Sequence, residues 1–201
     1  VGHGIVLSGS YTLSRSTDQS SSTGFGGAGG FAGQTSGRGL LDEGRTSSDF
    51  DRRHQFLVTA TIPIAKGLEL TTISRATSGS PYTPSVAGDI NADGARNDRA
   101  FIFDPAAGGA LATDLQRLID NAPGRVRSCL KSQLGTIADR NSCRGPWQVT
   151  WDLQLNYRPT FWRLNQRLTV SMVTSNLLGG LDQLFHGSND LHGWGANFRP
   201  D

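Results

Sequence analysis

Residues 147–158 alternate without a break. Trp147, Val149, Trp151, Leu153, Leu155 and Tyr157 share one parity; Gln148, Thr150, Asp152, Gln154, Asn156 and Arg158 share the other. With 36% of the chain apolar, twelve such matches in a row arise by chance with a probability on the order of 10⁻⁴. A side-chain repeat of two belongs to a β-strand, with one apolar and one polar face. A helix of period 3.6 would scatter the same apolar residues around its circumference.

The pattern recurs. Ile5, Leu7, Tyr11 and Leu13 oppose Ser8, Ser10, Thr12 and Ser14, and Phe56, Val58, Ala60, Ile62 and Ile64 oppose Gln55, Thr59 and Thr61. Leu68 and Leu70 open a weaker strand with Glu69, Thr71 and Arg75 on its other face, and Leu168, Val170 and Met172 open one opposite Arg167, Thr169 and Ser171. The runs match the roughly 9–11 tilted residues with which a β-strand crosses a bilayer, against about five or six in soluble strands. Short connections (Ala65-Lys66-Gly67 and 159–163) alternate with long ones (15–50 and 83–145), as in transmembrane barrels.

These features predict an all-β fold, an antiparallel up-and-down transmembrane β-barrel segment of about five to six strands with long extracellular loops. Val149, Trp151, Leu153 and Leu155 are expected to face lipid, and Gln148, Thr150, Asp152, Gln154, Asn156 and Arg158 a lumen. Trp147, Tyr157, Phe161 and Trp162 lie near strand ends, where interfacial girdles form. Composition closes other routes. No run approaches the ~18 apolar residues of a spanning helix, and 36% apolar content is low for a large two-sided core. A net charge of +2 from 19 basic and 17 acidic residues leaves no nucleic-acid platform. Five strands do not close a barrel, since the smallest have about eight, and a lipid-exposed edge leaves backbone groups unpaired. The chain is therefore expected to join a larger wall. Its start at Val1-Gly2-His3 without Met or a signal peptide adds to that expectation.

The loops carry the remaining motifs. Residues 20–39 hold twelve Gly or Ser and read as a flexible surface loop, with Phe25 and Phe31 as scattered apolar residues. Asp89-Ile90-Asn91-Ala92-Asp93-Gly94 fits the first half of a calcium loop, with Asn97 and Asp98 able to complete an oxygen shell for Ca2+. Position twelve, normally Glu, is Ala100, so an Asx/Gly turn without metal stays open beside it; no other cofactor is implied. Thr113 and Gln116 form a capping-box pattern before a short helix that Gly124 ends, and Val126, Cys129, Leu130 and Leu134 suggest a second stopped at Gly135. Cys129 and Cys143 read either as a disulfide, closing a 15-residue loop worth about 3 kcal/mol, or as two free thiols. His3, His54, His186 and His192 are isolated in sequence, Asp42/Glu43 and Asp49/Asp51 read as solvated carboxylates, and no nucleophile elbow occurs. An enzyme is not expected.

Three patches carry a resemblance: Asp49-Phe50-Asp51-Arg52-Arg53-His54-Gln55-Phe56, then Ser78-Gly79-Ser80-Pro81-Tyr82-Thr83-Pro84 with the 88–94 and 96–101 segments, then Asn176-Leu177-Leu178-Gly179-Gly180-Leu181 running on to Gly187. Together they resemble the late barrel part of TonB-dependent outer-membrane receptors of the Oar-like type. The resemblance implies a barrel of about twenty-two strands around a plug, energised by the TonB complex through that plug. On this reading residues 1–201 are a partial carboxy-terminal barrel region in a Gram-negative outer membrane. The chain's partners are then the rest of the barrel and the plug, outer-membrane lipid and an unidentified substrate. The competing class is a secreted or surface-exposed β-rich binding module, with or without calcium.

Overall fold

The computed structural model describes residues 4–19, 45–90, 92, 98–159 and 168–196. Along the chain, β1 (Val6–Leu13) is followed by the two-residue strands β2 (Thr17–Asp18) and β3 (Thr46–Ser47), then by β4 (His54–Ala65) and β5 (Leu68–Thr77). Next come β6 (Pro81–Tyr82), β7 (Phe101–Ile102), α1 (Ala112–Asn121), α2 (Gly124–Lys131), β8 (Thr136–Ile137) and β9 (Cys143–Arg144). The chain continues with β10 (Gln148–Tyr157), β11 (Val170–Thr174) and α3 (Leu177–His186). It divides into two compact units: a wall unit of Val1–Leu13, Arg53–Ser78 and Trp147–Asp201, and a loop unit of Ser14–Arg52 and Gly79–Pro146.

The wall unit is a five-stranded sheet in the order β1-β4-β5-β10-β11. Every neighbouring pair is antiparallel, so the long strands run up and down in chain order. Register decides which residues share a face. Leu7, Tyr11 and Leu13 lie opposite Ala60, Phe56 and His54; Phe56, Val58, Ala60 and Ile62 lie opposite Ala76, Ser74, Thr72 and Leu70. The same β5 residues face Val149, Trp151, Leu153 and Leu155, and Leu155 and Tyr157 face Met172 and Val170. The apolar rows of β1, β4, β10 and β11 therefore fall on one side, where β5 sets the mixed row Leu70, Thr72, Ser74 and Ala76. The other side carries Ser8, Ser10, Thr12, Gln55, Thr59, Glu69, Thr71, Arg75 and the polar row of β10, with Val6, Leu57, Ile73 and Val173 among them.

Two details depart from strict alternation. The β4–β5 register shifts between Pro63 and Ala65, leaving Ile64 without a cross-strand partner while Ala65 takes the place opposite Leu68. Ile64, expected on the apolar row, is the extra residue of this bulge. Pro63, which has no N–H for the ladder, sits where the ladder is already irregular. The two-residue hairpin Lys66-Gly67 follows, with Gly67 at φ 78, a conformation that costs glycine nothing.

Among the described residues the buried apolar side chains, Ile102, Ile119, Ala122, Leu130, Ala138 and Cys143, all belong to the loop unit. Ile102, Ile119, Leu130 and Ala138 form its core, with Leu115, Val126 and Leu134 packed on it. The expected helices are there, with different ends. Helix α1 starts after Leu111 with no side-chain cap, so the Thr113–Gln116 box is not its start. It ends at Ala122, which is extended (ψ 143) because the residue before a proline is driven out of the helical region; Gly124 opens α2 instead of closing α1. Arg127 covers the carbonyl end of α1, donating to Ile119 O and Ala122 O at 3.1 Å each. Cys129 and Cys143 are joined in a disulfide, and Gln133 braces it, donating to Cys129 O (3.2 Å) and accepting from the Asp139 amide (2.8 Å).

Polar ties hold the two long connections to each other. Arg140, 2% exposed, pairs with Asp18, and Arg144 pairs with Asp51 and donates to its carbonyl at 2.6 Å. Asn141 donates to Ser47 O (2.7 Å) and Asp49 Oδ1 (2.6 Å). Asp51, expected to be solvated, is 1% exposed, because Arg144 supplies the charge partner that a buried carboxylate requires. Burial also raises the Tyr82 hydroxyl pKa above its ordinary value. At Gly79 an added Cβ would overlap the backbone of Gly145 and Pro146; only glycine fits there.

Candidate functional site

The functional surface of the wall is its pair of faces. On the apolar face Leu7, Tyr11, Leu13, Phe56, Val58, Val149, Trp151, Tyr157, Val170 and Met172 are all exposed, more large apolar side chains on one face than a water-facing surface normally gathers. Tyr11, His54, Phe56 and Trp147 cluster at the long-loop end. Tyr11 and Phe56 centroids lie 4.7 Å apart, Phe56 and Trp147 6.1 Å, and His54 and Trp147 6.0 Å. The rings meet across β5 because the residue there, opposite both Phe56 and Val149, is the small Ala76. Tyr11 Oη and His54 Nδ1 are hydrogen-bonded at 2.8 Å, giving the cluster a polar rim, as aromatic side chains have at a membrane–water interface. Tyr157 marks the other end of the same row. At about 3.3 Å per residue and a tilt of about 40°, the ten residue steps from Trp147 to Tyr157 span about 25 Å of bilayer normal, the height of a barrel's apolar band.

On the polar face Arg75 and Asp152 pair across β5 and β10 at 2.6 Å, and Ser171 Oγ donates to Asn156 Oδ1 at 2.7 Å. The row Gln148, Thr150, Asp152, Gln154 and Asn156 lies on this face and Val149, Trp151, Leu153 and Leu155 on the opposite one; Arg158 follows the strand and ties its amide to Gly67 O at 2.6 Å.

One constellation was not legible in sequence. His186 and His192 do not stand alone: their rings stack with centroids 3.7 Å apart, and Trp194 meets His186 edge-on at 5.1 Å. Both histidines converge on Asp182, which is fully buried. Its carboxylate accepts from His186 Nδ1 (2.8 Å), the His192 amide (3.0 and 3.1 Å) and the Trp194 amide (2.9 Å). Burial alone would push this carboxyl up, but the His192 amide, the His186 ring and the Trp194 amide together hold its pKa below the ordinary value. The Asp182–His186 spacing of four on α3 was the available signal. The return of His192 and Trp194 was not.

Of the candidate calcium ligands, Asn91, Asp93 and Asn97 lie outside the described residues, as do His3, Asp42, Glu43, Phe25, Phe31, Phe161, Trp162 and the 160–163 turn. Asp98 Oδ2 accepts from the Ile90 amide, eight residues earlier in the chain, and Asp89 is exposed. Among the described residues no three His, Cys, Asp or Glu side chains are grouped to hold a metal ion.

An up-and-down antiparallel sheet with one exposed apolar face, one polar face and a band of membrane height defines a wall of the transmembrane β-barrel class. A family model described as outer membrane beta barrel domain matches residues 1–178, and the chain belongs to that family. No curated protein and no solved structure matches the chain.

Proposed function

We propose that the chain is the late wall of a TonB-dependent transporter, with no enzymatic step of its own. The apolar face meets outer-membrane lipid, the polar face lines the lumen, and the long connections face the cell exterior, where they capture a substrate. The observation that carries the wall reading is the register itself, which aligns the apolar rows of β1, β4, β10 and β11 on one side. Both edge strands, β1 and β11, have one unpaired side among the described residues. In lipid, unpaired backbone groups cost several kcal/mol each, so further strands complete the barrel around a plug. The narrower assignment to a TonB-dependent receptor is supported by the sequence resemblance of the patches at 49–56, 78–101 and 176–187, which follow one another in the family's order. The full-length gene product is expected to run as a heat-modifiable band from outer-membrane extracts and to bind the purified periplasmic domain of the TonB complex. An unshifted, soluble protein overturns the wall reading; a heat-modifiable protein without TonB binding overturns the transporter assignment alone.

A further inference from the structure

The segment after β11 does not trail away from the wall. Asn176 adopts a left-handed conformation (φ 50, ψ 53), and its side-chain oxygen accepts from the Gly179 amide at 3.3 Å to start α3. Its own amide donates to Asp152 Oδ1 at 2.8 Å. Asp152 belongs to the polar face and pairs there with Arg75. Gln148, Thr150, Asp152, Gln154 and Asn156 are half-buried, as are Leu153 and Leu155 on the opposite face. What sets the segment on the polar side is the hydrogen bond of the Asn176 amide to Asp152.

The chain then returns on itself. Asp182 fixes the His192 and Trp194 amides, and Gly195 comes so close to Asn176 and Gly179 that a Cβ has no room. Residues 176–195 are thus a cross-braced element, with the His192 and Trp194 amides held by a buried carboxylate. Its apolar residues Leu184, Phe185 and Trp194 point outward, 75%, 67% and 42% exposed. Such a surface on a rigid element standing against a polar wall is placed to meet whatever moves along that wall.

We infer that residues 176–195 form an inward-folded constriction of the lumen, pinned to the wall at Asp152 and locked by Asp182. It narrows the passage at the level of Asp152 and presents Leu184, Phe185 and Trp194 to the passing solute. This rests on the wall reading above.

The test is thiol labelling of the full-length protein in intact cells, with Cys129 and Cys143 left in their disulfide. Phe185→Cys is expected to react readily with a small anionic methanethiosulfonate. With a bulky polyethylene-glycol maleimide it should react about tenfold slower than Leu111→Cys in the loop unit, an added barrier of about 1.4 kcal/mol. Adding Asp182→Asn is expected to remove most of that difference. Equal rates of the bulky reagent at Phe185→Cys and Leu111→Cys, with Asp182 intact, overturn the inference. So does a nitroxide at position 185 that is relaxed more by oxygen than by a water-soluble nickel chelate. Nitroxides at Leu155→Cys and Gln154→Cys separate the two levels. Oxygen access at 155 and nickel access at 154 keep the wall reading even if the constriction fails. No contrast between them overturns both.

Discussion

Leu153→Arg places a guanidinium on the apolar row of β10, between Thr72 on β5 and Thr174 on β11. Leu153 lies four residues from Tyr157, which at about 3.3 Å per residue and a tilt of about 40° is about 10 Å into a band about 25 Å tall. That is close to the midplane, where an arginine on the lipid face costs about 2–4 kcal/mol. The folding equilibrium in a bilayer should therefore fall by a factor of about 30 to 900. The neighbouring change Gln154→Arg adds the same charge on the polar face, where Arg75 already pairs with Asp152, and should stay within about 0.5 kcal/mol. The assay is reversible urea unfolding of the full-length protein from lipid vesicles, read by tryptophan fluorescence and by heat-modifiable mobility. Equal losses for the two variants, or a larger loss for Gln154→Arg, would refute the assignment of the faces.

Two further perturbations address the loops. Replacing Cys129 and Cys143 with alanine releases a cross-link of sequence separation 14 and should lower loop-unit stability by about 3 kcal/mol; limited proteolysis should then cut between 79 and 146 while the wall stays protected. The Asp182 carboxyl has a folded pKa below its unfolded value, so its contribution is fully present above the ordinary carboxylate pKa of about 4 and is lost as pH falls through the depressed folded value. Acid titration of the fluorescence of Trp194 should show a transition below about pH 4 that Asp182→Asn removes, and an unchanged transition in that variant would contradict the bracing role.

The wall was largely legible because its signal is local. Twelve alternating residues in 147–158 specify a strand and both of its faces, and the short Ala65-Lys66-Gly67 segment specifies a hairpin. The slip at Pro63–Ala65 was not, because a bulge is a property of two strands read against each other. Nor was the burial of Asp51, whose partner Arg144 lies far along the chain. Helix α3 was missed for a related reason: its Gly179-Gly180 pair weakens the helical pattern, and what secures its start is the left-handed Asn176 cap with Gly195 packed against it. His186 and His192 looked isolated because the loop from Gly187 onward had to close before their rings could stack.

The strand period, the apolar and polar parities and the alternation of short and long connections are written into the order of residues, since they follow from near neighbours and from the two-residue repeat of an extended chain. That the apolar rows of β1, β4, β10 and β11 fall on the same side came with strand pairing in the folded chain, because a slip of one residue in register turns a whole strand over. Folding alone brought Asp182 under two returning amides, and Arg140 and Arg144 onto Asp18 and Asp51. Such contacts join residues whose separation in sequence carries no record of their distance in space.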